Sequence, residues 1–227
     1  MSMPVSPRQL AFTLEHAESF AREDFLAGPS NAAALALIER WPDWPARAVA
    51  LVGPEGAGKS HLAAIWAETA GARFLAARAL ATADLPRAVA TGALVIEDLS
   101  AAGMDERALF HLLNLAREEG AFMLITARSA PAGWPAAIPD LASRLRALPV
   151  VTLIAPDDAL LRSLIVKLAA DRQINVDESL VSYLVTRIER SFAAARAAVA
   201  ELDAEAMRQK RPVTRALAAE ILRDARP

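Results

Sequence analysis

The sequence predicts an α/β protein: a parallel sheet with helices on both faces, followed by a small all-helical domain. Three observations predict it. Apolar runs at residues 48–52, 93–96 and 122–126 read as strands buried on both faces. Helix-length stretches separate them, as crossovers between parallel strands require. After Ala155-Pro156 no strand-like run remains.

Taken in order, residues 1–15 read as an extended arm. A helix over 32–41 follows Pro29-Ser30-Asn31, where Ser30 or Asn31 can cap it. Strand 48–52 leads into a glycine loop and a helix over 59–70. Residues 73–76 read as a strand. Residues 105–119 read as an amphipathic helix stopped by Gly120, and 148–153 as the last strand. Helices are expected over 157–171, 177–190, 192–210 and 214–223. The organisation is an arm (1–20), an α/β domain (21–155) and a helical domain (156–227).

Composition narrows the function classes. The chain has 227 residues, 54% of them hydrophobic, with a mean hydropathy of +0.25, so a substantial core can form. A net charge of −2 gives no single-sign field of the kind that marks a nucleic-acid surface. The absence of cysteine excludes disulfides, thiolate catalysis and cysteine metal sites, and fits a reducing compartment. No stretch approaches the roughly 20 apolar residues of a membrane span, and the first 22 residues lack a signal-peptide core. A cytoplasmic protein without membrane association is expected. His16, His61 and His111 show no metal-like grouping.

The strongest chemical signal is Gly53-Pro54-Glu55-Gly56-Ala57-Gly58-Lys59-Ser60, a full match to G-x-x-x-x-G-K-[ST] between a buried strand and a helix. Several backbone N–H groups must converge on phosphate oxygens, which requires glycine conformations. The following helix, where His61 comes next, turns its positive end to the same charge. Lys59 is expected to reach the β- and γ-phosphates and Ser60 to ligate magnesium. The cofactor implied is ATP or ADP with Mg2+. Glu97-Asp98, at the tip of the third strand, is the matching acidic pair. One carboxylate serves the metal, for which Glu97 is the first choice, and the other orients the attacking water.

With these pieces in order, the chain resembles the AAA+ core of the DnaA replication initiators, and within that family the short Hda-type regulators that inactivate DnaA. The resemblance rests on Asp24-Phe25-Leu26-Ala27-Gly28-Pro29-Ser30-Asn31, on residues 53–62, and on Pro139-Asp140-Leu141-Ala142-Ser143-Arg144-Leu145. It covers nearly the whole chain from about Gln9. It implies a nucleotide domain with a helical lid, and Arg144 as a finger acting on nucleotide held by a partner, DnaA. Thr126 falls where such folds place a γ-phosphate sensor; the alternative is a strand-end threonine making local backbone bonds.

Two departures matter. The family carries two aspartates where this chain has Glu97-Asp98, which puts its own hydrolysis in question. The lid position that usually offers an arginine is Ala193, with Arg190 and Arg196 one turn to either side as substitutes. The stretch Gln9-Leu10-Ala11-Phe12-Thr13-Leu14 resembles the motif by which Hda and polymerases bind the DNA polymerase III sliding clamp. Gln9 would make the polar anchor, while Leu10, Phe12 and Leu14 enter an apolar pocket. No helix-turn-helix follows the lid, so sequence-specific DNA binding is not expected; homo-oligomers are compatible with the family. The alternative function is a helicase-loader-type ATPase acting on its own nucleotide.

Overall fold

A computed structural model describes residues 20–224; Gln9, Leu10, Phe12 and Leu14 lie outside them. Five strands, β1 (Ala48–Val52), β2 (Arg73–Ala76), β3 (Ala93–Leu99), β4 (Phe122–Ala127) and β5 (Val150–Thr152), form one parallel sheet in the order β2-β3-β4-β1-β5. Ala48 faces Met123 and Val52 faces Ala127 across the central pair, and Ala50 faces Val150.

The strands are apolar throughout because both faces are covered. Val49, Leu51, Val95 and Leu124 pack with helices α1 (Ala32–Glu39) and α2 (Lys59–Ala70) and with Trp44 and Trp66, whose rings stack at 4.9 Å. Ala50, Leu94, Ile96, Met123 and Ile125 pack on the other face, under α3 (Leu85–Val89), α4 (Glu106–Glu118) and α5 (Pro139–Ala147). The helix after β1 and those after β2, β3 and β4 thus lie on opposite faces. This opens a crevice at the carboxyl ends of the strands.

Helices α6 (Asp158–Asp171), α7 (Glu178–Val185), α8 (Phe192–Gln209) and α9 (Arg215–Asp224) build a separate apolar cluster around Leu161, Ile165, Leu184, Ala195, Leu202 and Leu217. Side-chain caps set several helix starts: Asp84, Asp105, Asp157, Asp177 and Ser191 each accept the backbone N–H three residues on.

Several elements differ from the sequence reading. Asn31 occupies the N-cap of α1 without capping it; its side chain accepts from Gly28 N–H and donates to Leu26 O, bracing the preceding linker. Helix α7 stops at Val185, with the Thr186 hydroxyl donating to Ser182 O and Tyr183 O. Helices α3 and α5 carry too few periodic positions to stand out in the sequence. Strand β3 continues past Ile96 through the acidic pair to Leu99.

Candidate nucleotide site

The glycine loop joins β1 to α2 at the crevice. Each of its glycines answers a local demand. A Cβ on Gly53 would lie 2.4 Å from the Leu153 carbonyl oxygen. Gly56 has φ +69°, and its Cβ would lie 2.7 Å from that of Ser191 at the start of α8. The loop therefore touches β5's end on one side and the helical part on the other. Phe192 N–H donates to Gly56 O at 2.9 Å.

Lys59 is buried in the turn, its ammonium donating to Gly53 O at 2.8 Å and Pro54 O at 2.7 Å. Burial holds its pKa below the usual 10.5; Asp98 and Glu55 oppose the shift and Arg128 adds to it. Those neighbours mark where charge gathers. A cavity of about 380 Å³ is lined by Gly56, Gly58, Lys59, Ser60, His61 and Asp98, together with Glu55 and Arg128. Ala57 is buried in the core, behind the cavity.

Of the acidic pair, Asp98 lines this cavity and Glu97 does not. The reason is a bulge. Ile96 faces Ile125 and Leu99 faces Ala127, so β3 spends three residues where β4 spends two. Leu94, Ile96 and then Leu99 enter the same apolar layer, one residue out of step. Asp98 takes up the slack with φ +55°, a left-handed conformation that aspartate tolerates better than glutamate. Its N–H, left out of the regular ladder, donates to the Thr126 hydroxyl at 3.0 Å.

Thr126 is fully buried on β4 and does not line the cavity, so it acts here as the clasp of the bulge. Thr126→Val removes that acceptor while keeping the shape. It is expected to cost about 1–3 kcal/mol, read as a lower denaturant midpoint at unchanged slope.

The other wall comes from the linker and the helical part. Phe20, Asp24, Phe25, Ala193 and Arg196 line it. His61 is buried between Phe20 and Phe25, edge-on to both at 5.4 and 5.2 Å, with Nε2 3.0 Å from Ala21 O. Arg196 sits 6.0 Å from the Phe20 ring centroid. Arg190 pairs instead with Asp158 at 2.9 Å and does not reach the cavity. Lys167 on α6 donates to Asp24 at 2.6 Å, fastening linker to helices.

Arg128, two residues beyond Thr126, escaped the sequence reading although it lines the cavity beside Lys59. Its partner is Glu55 of the loop, at 2.6 Å. Both side chains are largely exposed, so the pair contributes little to stability. The signal was its position just past a central strand's carboxyl end, where ligand-facing residues collect.

Arg144 lies elsewhere, on α5. It donates to Asn114 Oδ1 at 2.6 Å and sits 5.3 Å from the Phe110 ring centroid, both on α4. The same helix holds the other end of α5, where the Glu106 carboxylate accepts from Ala137 and Ile138 N–H at 2.9 and 3.0 Å. Arg144 is thus braced at the surface, outside the cavity formed by the chain's own loop.

No family model matches the chain. It is 28% identical to the chromosomal replication initiator protein DnaA 2 of Chlamydia caviae, over 71% of this chain and 41% of that protein. It therefore spans less than half of that relative's length. Its structure is similar to domain III of the Thermotoga maritima replication initiation protein DnaA, with a TM-score of 0.74 at 19% identity, covering 92% of this chain and 98% of that one. AMPPCP-bound DnaA from Aquifex aeolicus gives a TM-score of 0.64 at 14% identity, over 84% of this chain and 69% of that one. These likenesses show the fold: a parallel sheet with helices on both faces and a helical part behind it, as in DnaA domain III.

Proposed function

We propose that the chain binds adenine nucleotide with magnesium at residues 53–60 and serves as a DnaA-related regulator of replication initiation, presenting Arg144 to ATP held by DnaA. One observation carries the reading: the cradle and Arg144 occupy separate places, so the guanidinium is available to a partner's nucleotide and not to the chain's own. A fold alone does not select a function. The DnaA-like sequence match and the AMPPCP-bound structure of similar fold support the choice.

The donor set suits magnesium. Ser60 and Asp98 offer hard oxygens on one cavity, and no group of three or more His, Cys, Asp or Glu side chains gathers among the described residues. That fits a cation whose shell is completed by phosphates and water rather than by a protein cage. Bound there, it would neutralise charge between the β- and γ-phosphates. We assign the metal-facing carboxylate to Asp98 rather than Glu97. Lys59 would turn from the Gly53 and Pro54 carbonyls to phosphate oxygens, while the amides of Gly56 and Gly58 and the start of α2 complete the cradle. Of the two candidate lid arginines, Arg196 lines the cavity that would take the phosphates, while Arg190 pairs with Asp158 away from it.

In DnaA's site, the Arg144 guanidinium would stabilise charge on the γ-phosphate oxygens as the bond to the leaving group breaks. This needs no turnover at the chain's own site. The N-terminal motif, Gln9 with Leu10, Phe12 and Leu14, would tether the regulator to the DNA polymerase III sliding clamp and so to replicated DNA.

The test is single-turnover hydrolysis of DnaA-bound ATP in the presence of clamp on DNA. Wild type is expected to accelerate it. Arg144→Ala is expected to lose the acceleration, a factor of about a thousand where a finger acts fully, and Arg144→Lys is not expected to restore it. Gln9→Ala with Leu10→Ala is expected to abolish capture by immobilised clamp. Acceleration by Arg144→Ala equal to wild type overturns the reading.

A further inference from the structure

A second cavity, of about 480 Å³, lies at the opposite end of the strands. It opens where β1 and β4 begin and where the carboxyl ends of α4 and α5 converge. Its floor is apolar, including Met123, Ile125 and Leu145, and small side chains such as Ala116 and Ala121 leave the space open.

Three guanidinium groups, those of Arg47, Arg117 and Arg144, line it, and no carboxylate does. None of the three has a carboxylate partner among the described residues. Arg47 donates to Gly120 O at 2.5 Å and lies over the Phe122 ring. Arg144 is held by the neutral Asn114 and by Phe110. Arg117 has neither hydrogen bond nor ion pair from its side chain among the described residues. Three uncompensated cations around one apolar hollow are complementary to a ligand with an apolar body and an anionic head.

We infer that this cavity is a binding site for a small amphipathic carboxylate, whose apolar body lies against Met123, Ile125 and Leu145 and whose head is held by Arg117 and Arg144. The size is that of a single small-molecule site, which favours a free organic anion over a peptide segment spread across a flat surface. The site stands independently of the function proposed above. If that function holds, the carboxylate also replaces Asn114 as the partner of Arg144 and withholds the guanidinium from the partner's nucleotide.

Calorimetric titration of the full chain with decanoate tests this, with decyltrimethylammonium as the charge-reversed probe. Saturable one-site binding of decanoate and none of the cation is expected. Arg117→Gln and Arg144→Gln are each expected to weaken binding at least tenfold. Ala147→Trp, at an exposed rim position, is expected to block it while leaving the denaturation midpoint and nucleotide affinity at wild-type values. Absence of saturable decanoate binding, equal binding of the cation, undiminished binding in both arginine variants, or binding only of an acidic peptide overturns the inference. Failure of the chain to bind nucleotide or to act on DnaA leaves these results unaffected, so the two readings fail separately.

Discussion

Lys59→Met is expected to abolish measurable binding of adenine nucleotide while shifting stability by no more than about 1 kcal/mol. The two halves of this expectation have one cause. The ammonium is buried, and burial depresses its pKa below 10.5, so keeping it charged in the fold costs free energy. Its bonds to Gly53 O and Pro54 O offset that cost. Methionine removes both terms and fills similar space. Nucleotide binding, by contrast, loses the one buried cation of the cradle, a loss of about 3–5 kcal/mol and so two or more orders of magnitude in affinity. The pH dependence has a definite sign. With the folded pKa below the unfolded one, the unfolded chain holds more protons in the window just under 10.5, so wild-type stability rises with pH there. Denaturant midpoints of wild type relative to Lys59→Met should rise through that window, and nucleotide titration supplies the other arm.

Gly56→Val is expected to damage both fold and site. The residue sits at φ +69°, which a β-branched side chain adopts at high cost, and its Cβ would overlap Ser191 at 2.7 Å. The backbone strain and the overpacking together are expected to cost about 2–4 kcal/mol. Ser191 caps α8, and Phe192 N–H bonds to Gly56 O, so relief by movement pulls the helical part away from the loop. Arg196 and Phe192 leave the cavity wall with it. Denaturation should show a lower midpoint, and titration a nucleotide affinity reduced at least tenfold. Ala193→Gly, on the same wall but without that clash, should leave both much closer to wild type.

Much of this was legible in the sequence. Apolar runs without alternation announced the doubly covered strands, and the glycine pattern announced the loop between β1 and α2. Aspartates at 105, 157 and 177, each just ahead of an apolar helix, announced three helix starts. What stayed hidden depends on how strands meet. The acidic pair was visible, but the bulge that turns Asp98 to the cavity arises from pairing β3 with β4, and no local pattern encodes that register. Arg190 and Arg196 were equivalent by spacing; only the docking of α8 on the loop, and Asp158 at the far side, separates them. Arg128 is a lone arginine after a strand and has no distinguishing neighbour in sequence. Its partner Glu55 lies 73 residues away.

The proposed function assigns Lys59, Ser60, Asp98 and Arg196 to the chain's own phosphate site, and Arg144 to a surface offered to another molecule. Calorimetric titration of magnesium-ATP into wild type and Arg144→Ala, side by side, measures that division. The account predicts stoichiometric binding with equal affinity in the two proteins. No binding to wild type, or an affinity lost when Arg144 is removed, would contradict it.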